Sequence, residues 1–290
     1  MADCLIVGGD SAIGRALAAE LRSRGLDVAM TSRRPDRDRD AVFLDLETLE
    51  GLDDLPGVSH VALLAAETRF SVCAAEPERT QRINVEAPVA IAARAREVWD
   101  ARVLFFSSIA VHDGSIDRVS EDARPAPNSL YGEQKLAVED ALFAAHDNIA
   151  ALRPAKVVDG AFPLFANWAD ALARGEVVEP FSDMLVSPVW IGDVARIAAK
   201  LMCDTGEAGV FQISASDQMS YADIATYIAD RTGCDPALVQ SSRAVDRLDP
   251  ATLWLPKSAR LDCARTSAAT GDEIAPSSRA IDLFLEARDG

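Results

Sequence analysis

The sequence predicts an α/β protein with a doubly wound parallel sheet and a small C-terminal lid. Short apolar runs alternate with amphipathic helical stretches up to about residue 154, a rhythm typical of parallel strands covered by helices. A glycine-bearing turn at residues 8–14 joins the first apolar run to the first helix. Beyond Pro154 the alternation loosens, which predicts a smaller second unit.

Composition limits the classes of function. The chain has 290 residues, of which 49% are hydrophobic, enough for a sizeable core. Its formal net charge of −17 argues against a general nucleic-acid or anionic-membrane binder. No apolar run approaches the roughly 20 residues that a membrane span needs, and the N-terminus has no signal-like start. We therefore expect a cytoplasmic protein.

The cysteines and histidines indicate no metal or disulfide chemistry. Five cysteines and three histidines are scattered through the chain, and no Cys-x-x-Cys spacing occurs. This spacing predicts neither a disulfide framework nor a metal site. The residues are Cys4, Cys73, Cys203, Cys234, Cys263, His60, His112 and His146.

The turn after the first strand has the form of a phosphate-binding turn. The strand at 3–7 leads through it into a helix at about 15–22. A helix that starts in this way offers unpaired N–H groups and a positive dipole end to a phosphate. A purely structural turn is the alternative. The residues expected to contact a dinucleotide here are Gly8, Asp10, Ser11, Ala12, Ile13 and Gly14.

The end of the second strand indicates which dinucleotide binds. The strand at 27–31 is followed by Ser32, Arg33 and Arg34. NAD-selective folds usually carry Asp or Glu at this place for the ribose 2′-hydroxyl, whereas arginine pairs with a 2′-phosphate. The pattern favours NADP. The alternative is a solvated arginine pair in the charged loop that continues through residues 36–40.

The other predicted strands end in residues suited to ligand contact. Strands at 41–46, 59–66, 102–106 and 148–152 end in Asp45-Leu46, Ala65-Ala66, Ser107-Ser108 and Arg153-Pro154 respectively. In open parallel sheets, ligands bind at the carboxyl ends of the strands. A helix at 77–99 carries Asn84 between the strands at 59–66 and 102–106. We expect these side chains to surround one crevice.

The helix at 131–145 carries the pair with the clearest chemistry. Tyr131 and Lys135 are four residues apart and share one helical face. A positive charge near a phenol favours the phenolate and so lowers the phenol's pKa toward the working pH. Such a pair is a tunable proton donor, although an accidental spacing is the simpler alternative for the pair taken alone.

In combination, these features resemble the extended short-chain dehydrogenase/reductases over nearly the whole chain. The features, in order, are the turn at 8–14, Asn84, Ser107-Ser108, Tyr131-x-x-x-Lys135 and Arg153-Pro154. Residues 108–114, Ser187-Pro188 and residues 257–262 look most like the dTDP-4-dehydrorhamnose reductases and related nucleotide-sugar enzymes. The sequence departs from the family at His112 and at Val157-Val158-Asp159.

The resemblance implies a role for each matched residue. Tyr131 is the acid/base, Lys135 lowers its pKa and holds the nicotinamide ribose, and Ser108 hydrogen-bonds the reacting carbonyl. Asn84 supports the site. The implied cofactor is NADP. Its expected contacts are the residues named above in the turn and at the strand ends, together with Lys135 and Pro154. Arg260 is a candidate contact for a sugar-nucleotide diphosphate.

The resemblance also implies the division of the chain and its assembly. We expect an NADP-binding Rossmann domain at 1–160, to which 189–214 returns, and a mostly substrate-binding lid at 161–290. In the family, the helices that correspond to 84–99 and 131–145 often form a homodimer interface. Apolar residues beyond one face of these helices fit that expectation: Val89, Ile91, Leu136, Leu142 and Phe143.

Three functions stay open at this point. The first is an NADP-dependent oxidoreductase that reduces a carbonyl, most naturally on a nucleotide-activated 4-keto-6-deoxy sugar. The second is a nucleotide-sugar epimerase or a small-carbonyl reductase on the same scaffold. The third is an NADP-binding regulatory subunit without turnover, against which the intact Ser108, Tyr131 and Lys135 argue.

Overall fold

The computed structural model describes residues 2–34, 41–248 and 255–289. Among these residues the strands are β1 (Cys4–Val7), β2 (Val28–Ser32), β3 (Ala41–Phe43), β4 (His60–Leu63), β5 (Arg102–Phe106), β6 (Ile149–Pro154), β7 (Val157–Val158), β8 (Leu185–Val186), β9 (Val189–Trp190), β10 (Gly209–Ile213) and β11 (Met219–Ser220). The α-helices are α1 (Ala12–Ser23), α2 (Phe70–Ala75), α3 (Pro77–Gln81), α4 (Ala87–Trp99), α5 (Leu130–Ala145), α6 (Pro163–Ala173), α7 (Ile191–Cys203), α8 (Tyr221–Thr232), α9 (Ala264–Thr270) and α10 (Ser277–Asp289).

Seven of the described strands form one parallel sheet. Their order is β10–β6–β5–β4–β1–β2–β3, and every neighbouring pair runs parallel. The order reverses between β1 and β4, so the chain leaves these two strands in opposite directions. A crevice opens at such a switch point, at the carboxyl ends of the strands. The predicted fold class is confirmed.

Helices cover both faces of the sheet with apolar side chains. On one face, α1 and α7 pack together, and Leu17, Leu21, Ile197 and Leu201 are completely buried. On the other face, α4 and α5 contribute buried residues such as Ile91 and Leu142 to a second core. This double cover explains why β1 reads as an uninterrupted apolar run in the sequence.

The predicted helix at 77–99 is interrupted in the structure. Residues 82–86 form a π-helical turn between α3 and α4, and Asn84 lies in this turn with no exposed surface. Single π-turns within α-helices occur often at functional sites. The third predicted strand is also shorter than expected, because the backbone turns after β3 and the N–H of Asp45 bonds to the carbonyl of Glu50.

The C-terminal part divides between the sheet and a separate cluster. α7 packs against the seven-stranded sheet, and β10 is an edge strand of this sheet that pairs with β6. α6, α8 and α10 form a third apolar cluster around Phe165, Ile228 and Phe284. We propose that this cluster is the body of the lid. We also propose that the chain divides into the expected Rossmann domain and this lid. In the described part of the chain, no helix combines the length and apolarity needed to cross a bilayer.

Candidate active site

A large cavity lies at the carboxyl edge of the sheet. Its volume is about 1080 Å³, slightly above the range of roughly 300–1,000 Å³ for pockets that hold one small ligand. Most of the predicted site residues line it: Gly8, Asp10, Ser11, Ala12, Ile13, Ser32, Arg33, Asp45, Leu46, Ala65, Ala66, Ser108, Tyr131, Lys135 and Pro154. The predicted residues outside this lining are Gly14, Arg34 and Asn84.

The turn before α1 packs closely against the loop after β4 and against the start of its own helix. Ser11 caps the helix by accepting a hydrogen bond from the N–H of Gly14 over 3.0 Å, and its hydroxyl donates to the carbonyl of Gly8. Gly8 has a φ of +89°, and a Cβ there would lie 2.7 Å from the Cβ of Ala65. A Cβ on Gly14 would lie 2.4 Å from the Gly8 oxygen. The helix start therefore fits a phosphate-bearing dinucleotide.

The end of β2 holds the arginine pair that was expected to select the cofactor. The hydroxyl of Ser32 donates to Asp10 over 3.0 Å and accepts from the N–H of Arg34 over 2.9 Å. Both arginines are exposed, and Arg33 lines the cavity whereas Arg34 does not. Arg33 is thus the better placed of the two for a 2′-phosphate. The charged loop at 36–40 lies outside the described residues.

Tyr131 and Ser108 face each other in the cavity wall. Ser108 caps the short 3₁₀ turn Ile109–Val111, and its Oγ accepts from the N–H of Ala110 over 3.1 Å. Burial raises the pKa of Tyr131, and a hydrogen bond with Ser108 offsets this rise only in part. The phenol is therefore protonated at neutral pH. Its ring packs against Phe70, with 5.4 Å between the ring centroids.

Lys135 lies one helical turn beyond Tyr131 and is buried beneath it. Its Nζ donates to the carbonyl of Phe106 over 2.8 Å and lies 4.7 Å from the Phe105 ring centroid and 5.9 Å from the Tyr131 ring centroid. Burial lowers the pKa of Lys135 to about 8, against an opposing effect of Glu139. The expectation that this lysine lowers the pKa of Tyr131 is wrong for this structure, in which burial raises the pKa of the phenol and the lowering effect comes from Ser108.

The titration of Lys135 leads to a prediction for cofactor binding. A lysine with a lowered pKa is charged below about pH 8 and neutral above it. Because the charged form is the stronger donor, we expect the affinity for NADPH to fall about tenfold or more as the pH rises from 7 to 9.5. Fluorescence titration at a series of pH values measures this. Lys135→Met serves as the control and should lack the step near pH 8. An unchanged affinity up to pH 9.5 in the parent protein contradicts the prediction.

A glycine allows α5 to approach the turn that carries Ser108. Gly132 follows Tyr131, and a Cβ built on it would lie 2.1 Å from the carbonyl oxygen of Ala110. Ser129 caps the helix by accepting from the Gly132 N–H over 3.2 Å. The absence of a side chain at this position thus fixes the short distance between the tyrosine helix and the serine turn.

Asn84 is buried behind the cavity wall and does not line it. Its side chain accepts from the N–H of Glu67 over 2.8 Å, and it donates to the Glu67 carbonyl and to Gln134 over 3.0 and 2.8 Å. Gln134 in turn donates to Thr80. The network joins the loop after β4 to α5, the helix that carries Tyr131 and Lys135.

A buried ion pair lies one further turn along α5. Arg153 binds Glu139 through two hydrogen bonds of 2.9 and 2.5 Å, and the two side chains are only 3% and 2% exposed. Nη1 of Arg153 also lies 3.2 Å from Nε2 of His112. Burial, and next the charge of Arg153, lower the pKa of His112 to about 4, so this histidine is neutral at pH 7. The pair ties α5 to β6.

A comparison of the sequence with models of protein families identifies the family of this chain. The model described as "RmlD substrate binding domain" matches residues 2–289. The chain belongs to this family. The match confirms the resemblance to the extended short-chain dehydrogenase/reductases and the expected class of an NAD(P)-dependent oxidoreductase.

Individual relatives and a solved structure give a more detailed comparison. The probable low-salt glycan biosynthesis reductase Agl14 of Haloferax volcanii is 29% identical over 261 residues, 85% of each chain. The methionine adenosyltransferase 2 subunit beta of Rattus norvegicus is 27% identical over 284 residues, 90% of this chain and 80% of the relative. Among solved structures, a dTDP-4-dehydrorhamnose reductase from Clostridium acetobutylicum superposes with a TM-score of 0.87 at 21% identity, over 99% of this chain and 100% of that one.

Several cavity residues of this RmlD family member were not predicted from the sequence. Lys156 and Tyr221 line the cavity, and each stands beside a short two-residue strand that has no periodic pattern. Arg260, the expected diphosphate contact, instead forms an ion pair with Asp117 and is not among the residues that line the cavity. Lys156 follows β6 directly, and a cation just after a strand's carboxyl end is the signal that could have identified it.

Proposed function

We propose that the protein reduces a carbonyl group on a nucleotide-activated sugar with NADPH. The observation that carries the proposal is one cavity that contains both the phosphate-binding turn before α1 and the set of Ser108, Tyr131 and Lys135. Such a set suits a reaction in which a carbonyl oxygen gains negative charge and then a proton. A binding module has no need of this proton chemistry.

Different residues of the chain would bind different parts of the cofactor. The turn at 8–14 would bind the diphosphate, Ala65 and Ala66 would allow close contact, and Lys135 would hold the nicotinamide ribose. The reduced nicotinamide, when bound, supplies a hydride. The lining residues fit this group because the cavity runs from the turn at 8–14 to Ala65, Ala66 and Lys135, and because the start of α1 presents N–H groups to a phosphate.

The protonation states favour reduction. The raised pKa of Tyr131 keeps its proton on the phenol at neutral pH, so the phenol can donate it to the carbonyl oxygen as charge develops there. The hydroxyl of Ser108 provides a hydrogen bond at the same oxygen. Lys135, charged below about pH 8, stabilises the phenolate that forms when Tyr131 has given up its proton.

The size and charge of the cavity support a nucleotide sugar as substrate. A volume of about 1080 Å³ exceeds the need of one small ligand. Lys156 lines the cavity after β6, three strands away from β1, and its Nζ lies 5.8 Å from the ring centroid of Phe162. We propose that this ammonium group binds the diphosphate of the substrate, with the sugar toward Tyr131. The named activity of Agl14 as a glycan biosynthesis reductase agrees with this substrate class.

A substrate panel tests the proposed function. NADPH oxidation is measured with 4-keto-6-deoxy nucleotide sugars, simple ketones and no carbonyl. We expect turnover with the nucleotide sugars alone. Turnover with simple ketones only would identify a small-carbonyl reductase, and interconversion of UDP-hexoses without net oxidation would identify an epimerase. Tight NADPH binding without any turnover would favour a regulatory subunit, a possibility raised by the name of the Rattus norvegicus relative.

Cofactor preference gives a second prediction. We expect NADPH to bind at least about tenfold more tightly than NADH, because a charged hydrogen bond to the 2′-phosphate is worth about 1.5–3 kcal/mol. Arg33→Ala should remove most of the preference and Arg34→Ala less, since Arg33 lines the cavity. Fluorescence titration with both cofactors measures this. Arg174→Ala, an exposed arginine paired with Glu176, is the matched control. Equal affinities for the two cofactors in the parent protein would reject the assignment.

We also propose a cytoplasmic homodimer formed through α4 and α5. Ile91 and Leu142 lie in the chain's own core and cannot serve the interface, unlike the half-buried Val89, Leu136 and Phe143. Val98 on α4 is 62% exposed and adds to the apolar surface. Light scattering at micromolar concentration should give twice the chain mass of 31.0 kDa, and Val98→Glu should shift it toward the monomer. A monomeric mass for the parent protein rejects the interface.

A further inference from the structure

Two cysteines and a histidine meet at the edge of the sheet opposite the cavity. Cys4 and His60 begin the neighbouring strands β1 and β4 and are direct partners in the parallel register. Cys203 is the last residue of α7, which packs over the same face of the sheet. One ligand atom from each of the three side chains lies within 4.8 Å of the others. Cys4 and His60 are 56 positions apart in the sequence, and His60 and Cys203 are 143 positions apart, so their spacing does not resemble a metal-binding motif.

This cluster lies apart from the proposed active site. The cavity opens at the carboxyl ends of the strands, whereas Cys4 and His60 stand at the amino ends of theirs. None of the three residues lines the cavity. A function for this cluster is therefore separate from the reduction of a carbonyl.

The side chains of the cluster are available to a shared ligand. The sulfurs of Cys4 and Cys203 lie within 4.8 Å of each other, so the two thiols already face each other. Nδ1 of His60 is buried and has no hydrogen-bond partner among the described residues. Cys4 is completely buried, whereas His60 and Cys203 are partly exposed, which leaves a route from solvent.

A positive charge from Arg102 lies near Cys203 and favours its thiolate, whereas the surroundings of Cys4 raise the pKa of that thiol. Arg102 is the register partner of His60 on β5. Its guanidinium donates to the carbonyl of Leu201 at the end of α7 over 3.1 and 3.0 Å. A fixed positive charge near a cysteine favours the thiolate, which is the form that binds metal ions. The end of α7 also carries the negative pole of the helix dipole, which favours a cation.

We propose that Cys4, His60 and Cys203 bind a thiophilic transition-metal ion, with Zn²⁺ as the natural probe. Zn²⁺ takes sulfur at about 2.3 Å and nitrogen at about 2.0 Å in a tetrahedral arrangement. Ligand atoms around such an ion are about 3.5–3.8 Å apart, so the observed cluster needs shifts of no more than about 1 Å. Water, or a small anion, supplies the fourth ligand on the exposed side.

The bound ion would join three elements that are distant in sequence. β1 and β4 are central strands of the sheet, and α7 covers them after the chain has passed through the lid. An ion held only by the folded chain stabilises it by mass action. At concentrations 100–1,000 times the dissociation constant, we expect the unfolding midpoint to rise by about 5–15 °C.

Cobalt substitution tests the site without reference to turnover. The full-length protein is reduced with a phosphine, freed of metal and titrated with Co²⁺. We expect about one equivalent to bind, with thiolate-to-cobalt absorption in the near ultraviolet and tetrahedral bands in the visible region, and Zn²⁺ to displace it. Cys203→Ala and His60→Gln should lose the bands or weaken binding at least about tenfold. Cys234→Ala, another partly exposed cysteine, should behave as the parent.

Each result supports or rejects the site. No Co²⁺ spectrum in the reduced parent protein rejects it, whether or not any variant folds. A spectrum that persists in Cys203→Ala, or that disappears in Cys234→Ala, places the ion elsewhere and also rejects it. If Cys4→Ser fails to fold, Cys203→Ala and His60→Gln still decide, because both residues are partly exposed. A parent protein whose unfolding midpoint does not change with Zn²⁺ rejects the stabilising role.

Discussion

Replacement of Tyr131 by phenylalanine is expected to lower the kcat of carbonyl reduction by about 10²–10⁴-fold, the effect typical of a lost general acid. The phenol is protonated and lines the cavity together with Ser108, so its loss removes the proton donor. The affinity for NADPH should stay nearly unchanged, because the ring remains and Lys135 still holds the ribose. Steady-state kinetics with the best substrate of the panel, together with a cofactor titration, measure both effects.

Two further variants separate the roles at this site. Tyr227→Phe removes a phenol that bonds to Asp282 away from the cavity, and we expect parent-like kinetics from it. Lys135→Met should weaken both cofactor binding and turnover, since this lysine serves the ribose as well as the phenol. If Tyr131→Phe is as active as the parent protein, the catalytic assignment is wrong.

Replacement of Glu139 by leucine is expected to lower the free energy of unfolding by about 3–5 kcal/mol, as is typical when one partner of a buried ion pair is removed. Arg153 would then stay buried without its carboxylate partner, and both side chains are at most 3% exposed. Urea unfolding measures the loss. The double variant Glu139→Leu/Arg153→Met should regain most of it, because neither charge then stays buried.

A surface pair provides the comparison for this loss. Arg174 and Glu176 form a bidentate ion pair like the buried one, but more than half of each side chain is exposed. Solvent screens such pairs, so Glu176→Leu should leave stability unchanged within the error of measurement. An equally small effect of Glu139→Leu would show that solvent reaches the pair in solution.

The regular part of the fold could be predicted because the hydrophobic periodicity agrees there with the turn and capping residues that bound each element. β5 has the predicted bounds, and α1 and α5 begin and end within three residues of expectation. Both helices have a buried apolar face and a serine cap. The two-residue strands and the short α2 and α9 are set by tertiary contacts, which leave no periodic signal in so few residues.

The site was predictable where neighbours in the fold are also neighbours in sequence. Tyr131 and Lys135 share one helix, and Ser11 and Gly14 share one turn. The network of Arg153, Glu139 and His112 joins three segments and was not predicted. The position of an acidic residue, Glu139, between the apolar Val138 and Leu142, both buried in the structure, could have indicated a buried partner. The burial that raises the pKa of Tyr131 is a property of the assembled cavity, and no local spacing encodes it.

The route of the chain affects how such proteins can be recombined. After β6 the chain enters the proposed lid, returns for α7 and β10, and then re-enters the proposed lid for α8. A fragment that stops near residue 160 would leave the edge of β6 unpaired and the apolar face of α1 uncovered, two features that promote aggregation. A single crossover near residue 160 would exchange α7 and β10 together with the proposed lid, so their contacts with α1 and β6 would join residues of two different proteins. Exchange of the proposed lid alone requires two coordinated grafts, one between β6 and α7 and one after β10.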